Sequence, residues 1–117
     1  MEFFFPEDGL QRNPPEETRI LSLKAEPYED ARRVRVKLEI SPFEKRPHLE
    51  VTLSDSQGQE ISSTSFIEPM AWSLEFTLHL RSTPSPGPLT LEAHLYYPEG
   101  PAAPALSMQF DLGQDQD

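Results

Sequence analysis

Cysteine is absent from the sequence, and its absence removes several kinds of chemistry at once. Disulfide bonds, thiolate metal sites and a cysteine nucleophile are all excluded. Small extracellular domains often carry a disulfide, so a chain without cysteine favours a reducing compartment, and we expect a cytoplasmic protein.

Long apolar runs and positive charge are scarce as well. No run approaches the roughly 20 residues of a membrane-spanning helix. The start, Met1-Glu2-Phe3-Phe4-Phe5-Pro6-Glu7-Asp8, lacks the positive residues and the longer apolar stretch of a secretory signal. Ten Lys and Arg against twenty Asp and Glu give a formal net charge of −10, which repels nucleic-acid phosphates and anionic lipids. The sequence therefore predicts a soluble protein with neither a nucleic-acid nor a membrane partner.

The apolar residues do not follow a helical period anywhere for as long as three turns. From residue 18 onward they alternate with polar residues, which is typical of antiparallel strands with one buried and one solvated face. The alternating segments are 18–26, 32–41, 48–54, 60–66, 73–81, 88–97 and 105–112. Between them lie turn-forming residues, as in Asp55-Ser56-Gln57-Gly58 and the proline-rich stretch 82–88.

This pattern predicts an all-β domain, an antiparallel two-sheet β-sandwich of about seven strands, at residues 18–112. An irregular, acidic, proline-containing segment at residues 1–17 precedes it, and a flexible acidic C-terminus at residues 113–117 follows. In the first strand, the alternation places Leu21, Leu23 and Ala25 on the inward face.

One local stretch resembles a known class of domains. Pro86-Gly87-Pro88-Leu89-Thr90-Leu91-Glu92-Ala93 resembles the start of strand F in many bacterial immunoglobulin-like and fibronectin-III-like domains. The resemblance covers roughly residues 18–112 and implies seven strands in the order A, B, C, C′, E, F and G. Leu89 stands where the family often has a corner tyrosine, and the disulfide pair is absent too. Apolar packing alone must therefore hold the two sheets together.

Catalytic patterns are missing from the sequence. The three histidines, His48, His79 and His94, all fall on polar strand faces, and strands E and F lie in different sheets of the implied topology, which separates His79 from His94. No G-x-S-x-G elbow and no glycine-rich phosphate loop occurs. We therefore predict no enzymatic activity and no cofactor.

The outer face of strands C and F is a candidate metal site. If these strands are antiparallel neighbours in a suitable register, four side chains meet in one patch: His48, Glu50, Glu92 and His94. Two imidazoles and two carboxylates suit zinc or a similar divalent ion. The simpler interpretation is a solvated face with a His–Glu cross-strand pair.

Strand B carries a basic stripe on its polar face, formed by Arg33, Arg35 and Lys37. Such a stripe in an acidic protein suggests an anion or acidic-peptide site. The alternative is cross-strand pairing with Glu26 on strand A and Glu75 on strand E.

The loops at one end of the predicted sandwich are rich in large apolar residues. The B–C loop at residues 41–47, the C′–E loop at residues 67–72 and the start of the F–G loop all meet there in the implied topology. Trp, Tyr and Met are enriched in protein interfaces. The predicted partner-binding residues are Phe43, Ile67, Met70, Trp72 and Tyr97. They either cap the core or form a patch for a protein or peptide partner.

The sequence thus predicts a non-enzymatic interaction module, acting alone or as a homodimer. It would use the aromatic loop end or an open sheet edge, for which the short, polar strand C′ is a candidate. The alternative is a divalent-metal or small-ligand binding domain on the strand C/F face. The adjacent aromatics Phe3-Phe4-Phe5 either pack against the domain or anchor into another chain.

Overall fold

The computed structural model of the chain describes residues 12–111, which form two antiparallel sheets. The strands are β1 (Ile20–Pro27), β2 (Arg33–Ile40), β3 (His48–Ser54), β4 (Glu60–Ile67), β5 (Ser73–His79), β6 (Leu89–Tyr96) and β7 (Leu106–Phe110). One sheet has the order β1-β2-β5 and the other the order β4-β3-β6-β7. The predicted seven-stranded sandwich is confirmed, with strands A to G corresponding to β1 to β7. Within the described residues, no helix is long and apolar enough to cross a membrane.

The period-two pattern produces the core directly, because alternate side chains of each strand point between the sheets. Strand β2 contributes Val34, Val36 and Leu38, all inaccessible to solvent. In the other sheet, Leu53 of β3 lies opposite Leu91 of β6, and both are fully buried. Burying each such side chain contributes about 1.5–3 kcal/mol, which is how the sheets hold together without a disulfide.

Leu21 is an exception to the predicted inward face. Its side chain is 61% exposed, whereas Leu23 and Ala25 pack against the core as predicted. The pairing of β1 with β2 shifts register between Ile20 and Ser22, as at a β-bulge. Because one extra residue reverses the in/out parity, Ile20 packs against the core and Leu21 points outward.

Asp55 fixes the hairpin between β3 and β4. Its Oδ1 accepts hydrogen bonds from the backbone N–H groups of Gln57 and Gln59 at 3.0 Å each, and its Oδ2 accepts one from Ser85 at 3.2 Å. The N–H groups of Gln59 and Ser85 are the main reason that the pKa of Asp55 lies below its ordinary value. Gly58 has a φ of 82°, in the left-handed region that favours glycine. The carboxylate therefore joins this hairpin to the loop between β5 and β6.

We expect Asp55→Asn to lower the melting temperature at neutral pH, because an amide cannot accept all three hydrogen bonds. The folded-state pKa of Asp55 is depressed, so its stabilisation is present above the unfolded pKa of about 3.9 and is lost as the pH falls through the lower folded value. Thermal melts from neutral pH down to about pH 2.5 should show the two proteins converging. The exposed Asp111→Asn variant is the control. A melting-temperature gap that is unchanged in acid contradicts the ionic role of Asp55.

Candidate functional site

The loop end, defined as residues 41–47, residues 67–72 and Tyr97, is held together by hydrogen bonds between these segments and from the adjoining last residue of β2. The N–H of Ile40 donates to the carbonyl of Trp72 at 2.7 Å, and the N–H of Glu68 donates to the carbonyl of Pro47 at 3.1 Å. The hydroxyl of Tyr97 donates to the carbonyl of Lys45 at 2.7 Å. The predicted meeting of these three loops is thus observed.

Tyr97 lies inside the loop end and is buried. Its hydroxyl also lies 3.4 Å from Oγ1 of Thr18, a fully buried residue that donates in turn to the carbonyl of Pro14 at 3.0 Å. Burial raises the pKa of Tyr97 above its ordinary value. Tyr97 therefore holds the loop end in shape rather than offering its ring to a partner.

Phe43, Trp72 and Met70 form an open groove at the loop end. The rings of Phe43 and Trp72 meet edge to face, with centroids 6.2 Å apart and planes at 84°. Phe43 is 7% exposed and forms the floor, Trp72 is half-buried, and Met70 is 86% exposed at the rim. Together with Arg12 and Arg46 these residues line a volume of about 480 Å³, which we call the loop-end groove. This volume falls in the range of known ligand sites, about 300–1,000 Å³.

The loop-end groove combines its apolar surface with two guanidinium groups. Cζ of Arg12 lies 5.8 Å from the ring centroid of Trp72, and Arg46 lines the same groove. The ion pairs among residues 12–111 are formed by other arginines, Arg33, Arg35 and Arg81, and none of these lines the groove. Glu44 is the acidic residue on its wall, so cations outnumber anions there, in contrast to the acidic chain as a whole.

The residues immediately before β1 belong to this site, which the sequence did not reveal. Asn13 forms a parallel β-bridge with Phe43, donating its N–H to the carbonyl of Pro42 at 2.8 Å and accepting from the N–H of Glu44 at 2.9 Å. A 3-10 turn at Pro15–Glu17 follows. The part of the predicted irregular segment 1–17 that the structure describes is therefore ordered by hydrogen bonds, and it carries Arg12 to the groove.

Ile67, the remaining predicted partner-binding residue, lies outside the loop-end groove. It is the last residue of β4 and pairs with His48 of β3, so it stands on the outer face of the four-stranded sheet, 72% exposed. The predicted patch is thus divided: Met70 and Trp72 border the groove, Phe43 is its floor, and Ile67 faces another direction.

The four candidate metal ligands lie on one outer face of the four-stranded sheet. Strands β3 and β6 are antiparallel neighbours as predicted, and Glu50 lies directly opposite His94. His48 lies opposite Tyr96, whose ring packs on the imidazoles of His48 and His94 at centroid distances of 5.5 and 5.4 Å. Within residues 12–111 no group of three or more His, Cys, Asp or Glu side chains is placed to hold a metal ion. Glu92 lies opposite Thr52, two pairs further along the strands and on the same face.

The basic stripe on β2 is largely satisfied within the domain. Nε of Arg35 lies 3.5 Å from Oε2 of Glu75, and Nε of Arg33 donates to Oδ2 of Asp30 at 3.0 Å. Tyr28 covers both guanidinium groups, with Cζ of Arg33 4.2 Å and Cζ of Arg35 5.5 Å from its ring centroid. Arg35 thus pairs across strands with Glu75 as the alternative predicted, whereas Arg33 pairs with Asp30 in the turn between β1 and β2.

Two other predicted features concern the edge of the sheet and the chain ends. Strand β4 lies at an edge of the four-stranded sheet, where the sequence placed strand C′. The aromatics Phe3-Phe4-Phe5 and the acidic residues 113–117 lie outside the described residues.

Comparison with known proteins identifies a fold and no family. No protein-family model matches the chain, and no curated protein matches it. Two crystal structures of β-glucuronidase from Parabacteroides merdae, one with glycerol in its active site, are similar over 80% of this chain, with TM-scores of 0.58 and 0.55. The sequence identity is 14% in both, and the match covers only 13% and 14% of those chains. The chain is thus similar in fold to one small part of a much longer enzyme.

Proposed function

We propose that the domain is a non-enzymatic interaction module whose loop-end groove binds a short segment of a partner protein. The segment would carry an aromatic or large aliphatic side chain beside acidic residues. The observation that carries this proposal is the exposed Met70 next to the half-buried Trp72, between two arginines that have no carboxylate partner within residues 12–111.

The apolar part of the groove favours an apolar anchor. A methionine side chain that is 86% exposed is available to be buried, and its flexible thioether adapts to the shape of an incoming ring. Tryptophan and arginine are the residues most often found where binding energy concentrates. Because Phe43 and Trp72 pack edge to face, the groove has an aromatic wall and floor before any ligand arrives.

The charged part of the groove favours acidic flanks on the ligand. A guanidinium group binds a carboxylate through two parallel hydrogen bonds, which fixes orientation as well as adding attraction. Arg12 and Arg46 lie on the same groove as the aromatic rings, so one ligand segment can use both kinds of contact. These two cations would repel a basic segment at the groove, although the net charge of −10 on the whole chain would attract the same segment at long range. Peptides of both charges therefore separate the local effect from the long-range one.

The non-enzymatic part of the proposal has separate support. His79 lies on β5 in the three-stranded sheet, whereas His48 and His94 lie on the outer face of the other sheet. The similar structures are enzymes of which this fold makes up about one-eighth, which suits an accessory domain. Fold similarity alone transfers no activity to the chain.

A peptide titration that monitors Trp72, the only tryptophan in the chain, tests the proposed function. The probe is a synthetic peptide with two phenylalanines between pairs of glutamates. We expect it to shift and enhance the fluorescence of Trp72, since the ligand excludes water from the ring. Two matched peptides, one with lysine in place of glutamate and one with serine in place of phenylalanine, should bind at least about tenfold more weakly.

Two variants of the protein locate the binding. Met70→Asp removes the apolar rim and should weaken the acidic peptide by about tenfold or more. Leu21→Asp is the matched control, because Leu21 is also an exposed apolar residue but does not line the groove. Equal binding of the three peptides, or unchanged affinity in Met70→Asp, would contradict the proposed site.

A further inference from the structure

The described chain begins in the wall of the loop-end groove. Arg12 lines the groove, and the two backbone hydrogen bonds of Asn13 to the segment around Phe43 fix the direction from which the chain arrives. The side-chain amide of Asn13 also donates a hydrogen bond to the Pro42 carbonyl, at 2.9 Å. Whatever precedes residue 12 is therefore tethered at the groove itself.

The eleven residues before Arg12 have the chemistry that the groove favours. They contain Phe3-Phe4-Phe5, flanked by Glu2 on one side and by Glu7 and Asp8 on the other. The aromatic side chains match the apolar floor and rim formed by Phe43 and Met70. The carboxylates match the guanidinium groups of Arg12 and Arg46, which lack a carboxylate partner among residues 12–111.

The tether is also long enough for its own aromatics to reach the groove. Phe5 precedes Arg12 by seven residues, and a chain extends by at most about 3.3–3.6 Å per residue, which gives a reach of about 23–25 Å. Pro6 and Gly9 are residue types that allow the chain to reverse direction. A short tether raises the effective concentration of its ligand to about 1 mM, so even weak docking is populated within one molecule.

We propose that Phe3-Phe4-Phe5 of the same chain occupies the loop-end groove and must leave before a partner segment binds. This inference rests on the proposed function, since it assigns an internal competitor to the same site. If the intrinsic dissociation constant of the segment is about 0.1–0.3 mM, an effective concentration of about 1 mM keeps the groove occupied in most molecules, and partner affinity falls about four- to elevenfold.

The first test measures how accessible Trp72 is in the full chain. The variant Phe3→Ser/Phe4→Ser/Phe5→Ser should make Trp72 more readily quenched by acrylamide and shift its emission to the red, because the ring loses its cover. Leu21→Ser, which also removes an exposed apolar side chain, should leave quenching unchanged. A synthetic peptide with the sequence of residues 1–11, added to the triple variant, should restore the protection.

The second test separates this inference from the proposed function. The acidic phenylalanine peptide should bind the triple variant about four- to elevenfold more tightly than it binds the wild type. Equal affinity for both proteins, with equal quenching, would overturn the internal competitor and leave the groove as a partner site. Absence of binding to either protein would overturn the proposed function instead.

Dilution distinguishes the same chain from a second copy. Docking within one molecule predicts that the protection of Trp72 is independent of protein concentration and that the sedimenting species is a monomer. Protection that grows with concentration, together with a dimer that the triple variant abolishes, would show that the segment docks between copies and would overturn the proposal. Similar thermal melts of the wild type and the triple variant confirm that both are folded.

Discussion

Replacing Leu91 by alanine should lower the free energy of unfolding by about 2–5 kcal/mol, while Leu21→Ala should change it by less than about 0.5 kcal/mol. Leu91 is fully buried in β6, between Leu53 of β3 and Met108 of β7 in the register of the sheet. Removing its three outer carbon atoms leaves a cavity that neighbouring strands cannot close without breaking their pairing. Leu21 points into solvent at the β-bulge.

Urea unfolding followed by the fluorescence of Trp72 measures both values. The midpoint should fall sharply for Leu91→Ala with little change in the slope, since the surface exposed on unfolding is nearly the same. With a typical stability of about 5–15 kcal/mol for a domain, the loss is a large share of the total. Equal effects of the two substitutions would contradict the register of β1 and the position of the bulge.

The fold was predictable because its main signal lies within single strands. The alternation of Val34, Val36 and Leu38 with charged residues predicts which side of the strand is buried, and it does so without any information about the neighbouring strands. Leu21 was placed wrongly because a bulge depends on pairing between two strands. No residue type near Ile20 indicates the extra residue. The alternation of Leu23 and Ala25 therefore predicts an inward Leu21, which the bulge turns outward.

The composition of the candidate site was less predictable, because it depends on where strands end. Ile67 was expected in the C′–E loop, but β4 continues for one more residue and turns that side chain onto the sheet face. For Tyr97 the sequence leaves two alternatives open, capping the core or binding a partner, and in the structure its ring is buried while its hydroxyl donates to the Lys45 carbonyl. Such partners are far apart in sequence and become visible only in three dimensions.

For the candidate metal ligands as well, the sequence predicts which face the side chains occupy but not which residues lie opposite them. Parity correctly placed His48, Glu50, Glu92 and His94 on one outer face, since each alternates with a buried residue. Register then decided their neighbours, and it set Tyr96 opposite His48. Residues directly opposite in an antiparallel pair are nearest neighbours, so His94 faces Glu50, and His48 faces Tyr96, whose ring packs on both imidazoles.

Tyr97→Phe should have the second large effect, because the Tyr97 hydroxyl contributes both to the stability of the domain and to the position of the loop that lines the groove. Removing the hydroxyl leaves the Lys45 carbonyl without its 2.7 Å donor and should lower the free energy of unfolding by about 1–3 kcal/mol. Lys45 precedes Arg46 in the same loop, so we also expect weaker binding of the acidic phenylalanine peptide. Urea unfolding and the Trp72 titration measure the two effects, and a variant that retains both stability and affinity would contradict this role of Tyr97.

A double-mutant cycle with Thr18→Val determines whether Tyr97 and Thr18 act as one unit. Their oxygens lie 3.4 Å apart, and Thr18 links this point to the segment that carries Arg12. We expect a coupling energy of about 0.5–3 kcal/mol. The raised pKa of Tyr97 adds a pH signature: its stabilisation is full below the unfolded pKa of about 10 and is lost as the pH rises through the higher folded value. Wild type should therefore lose stability in alkali relative to Tyr97→Phe. In the double-mutant cycle, independent effects of the two substitutions would contradict the coupling and show that Tyr97 and Lys45 hold the groove without the segment before β1.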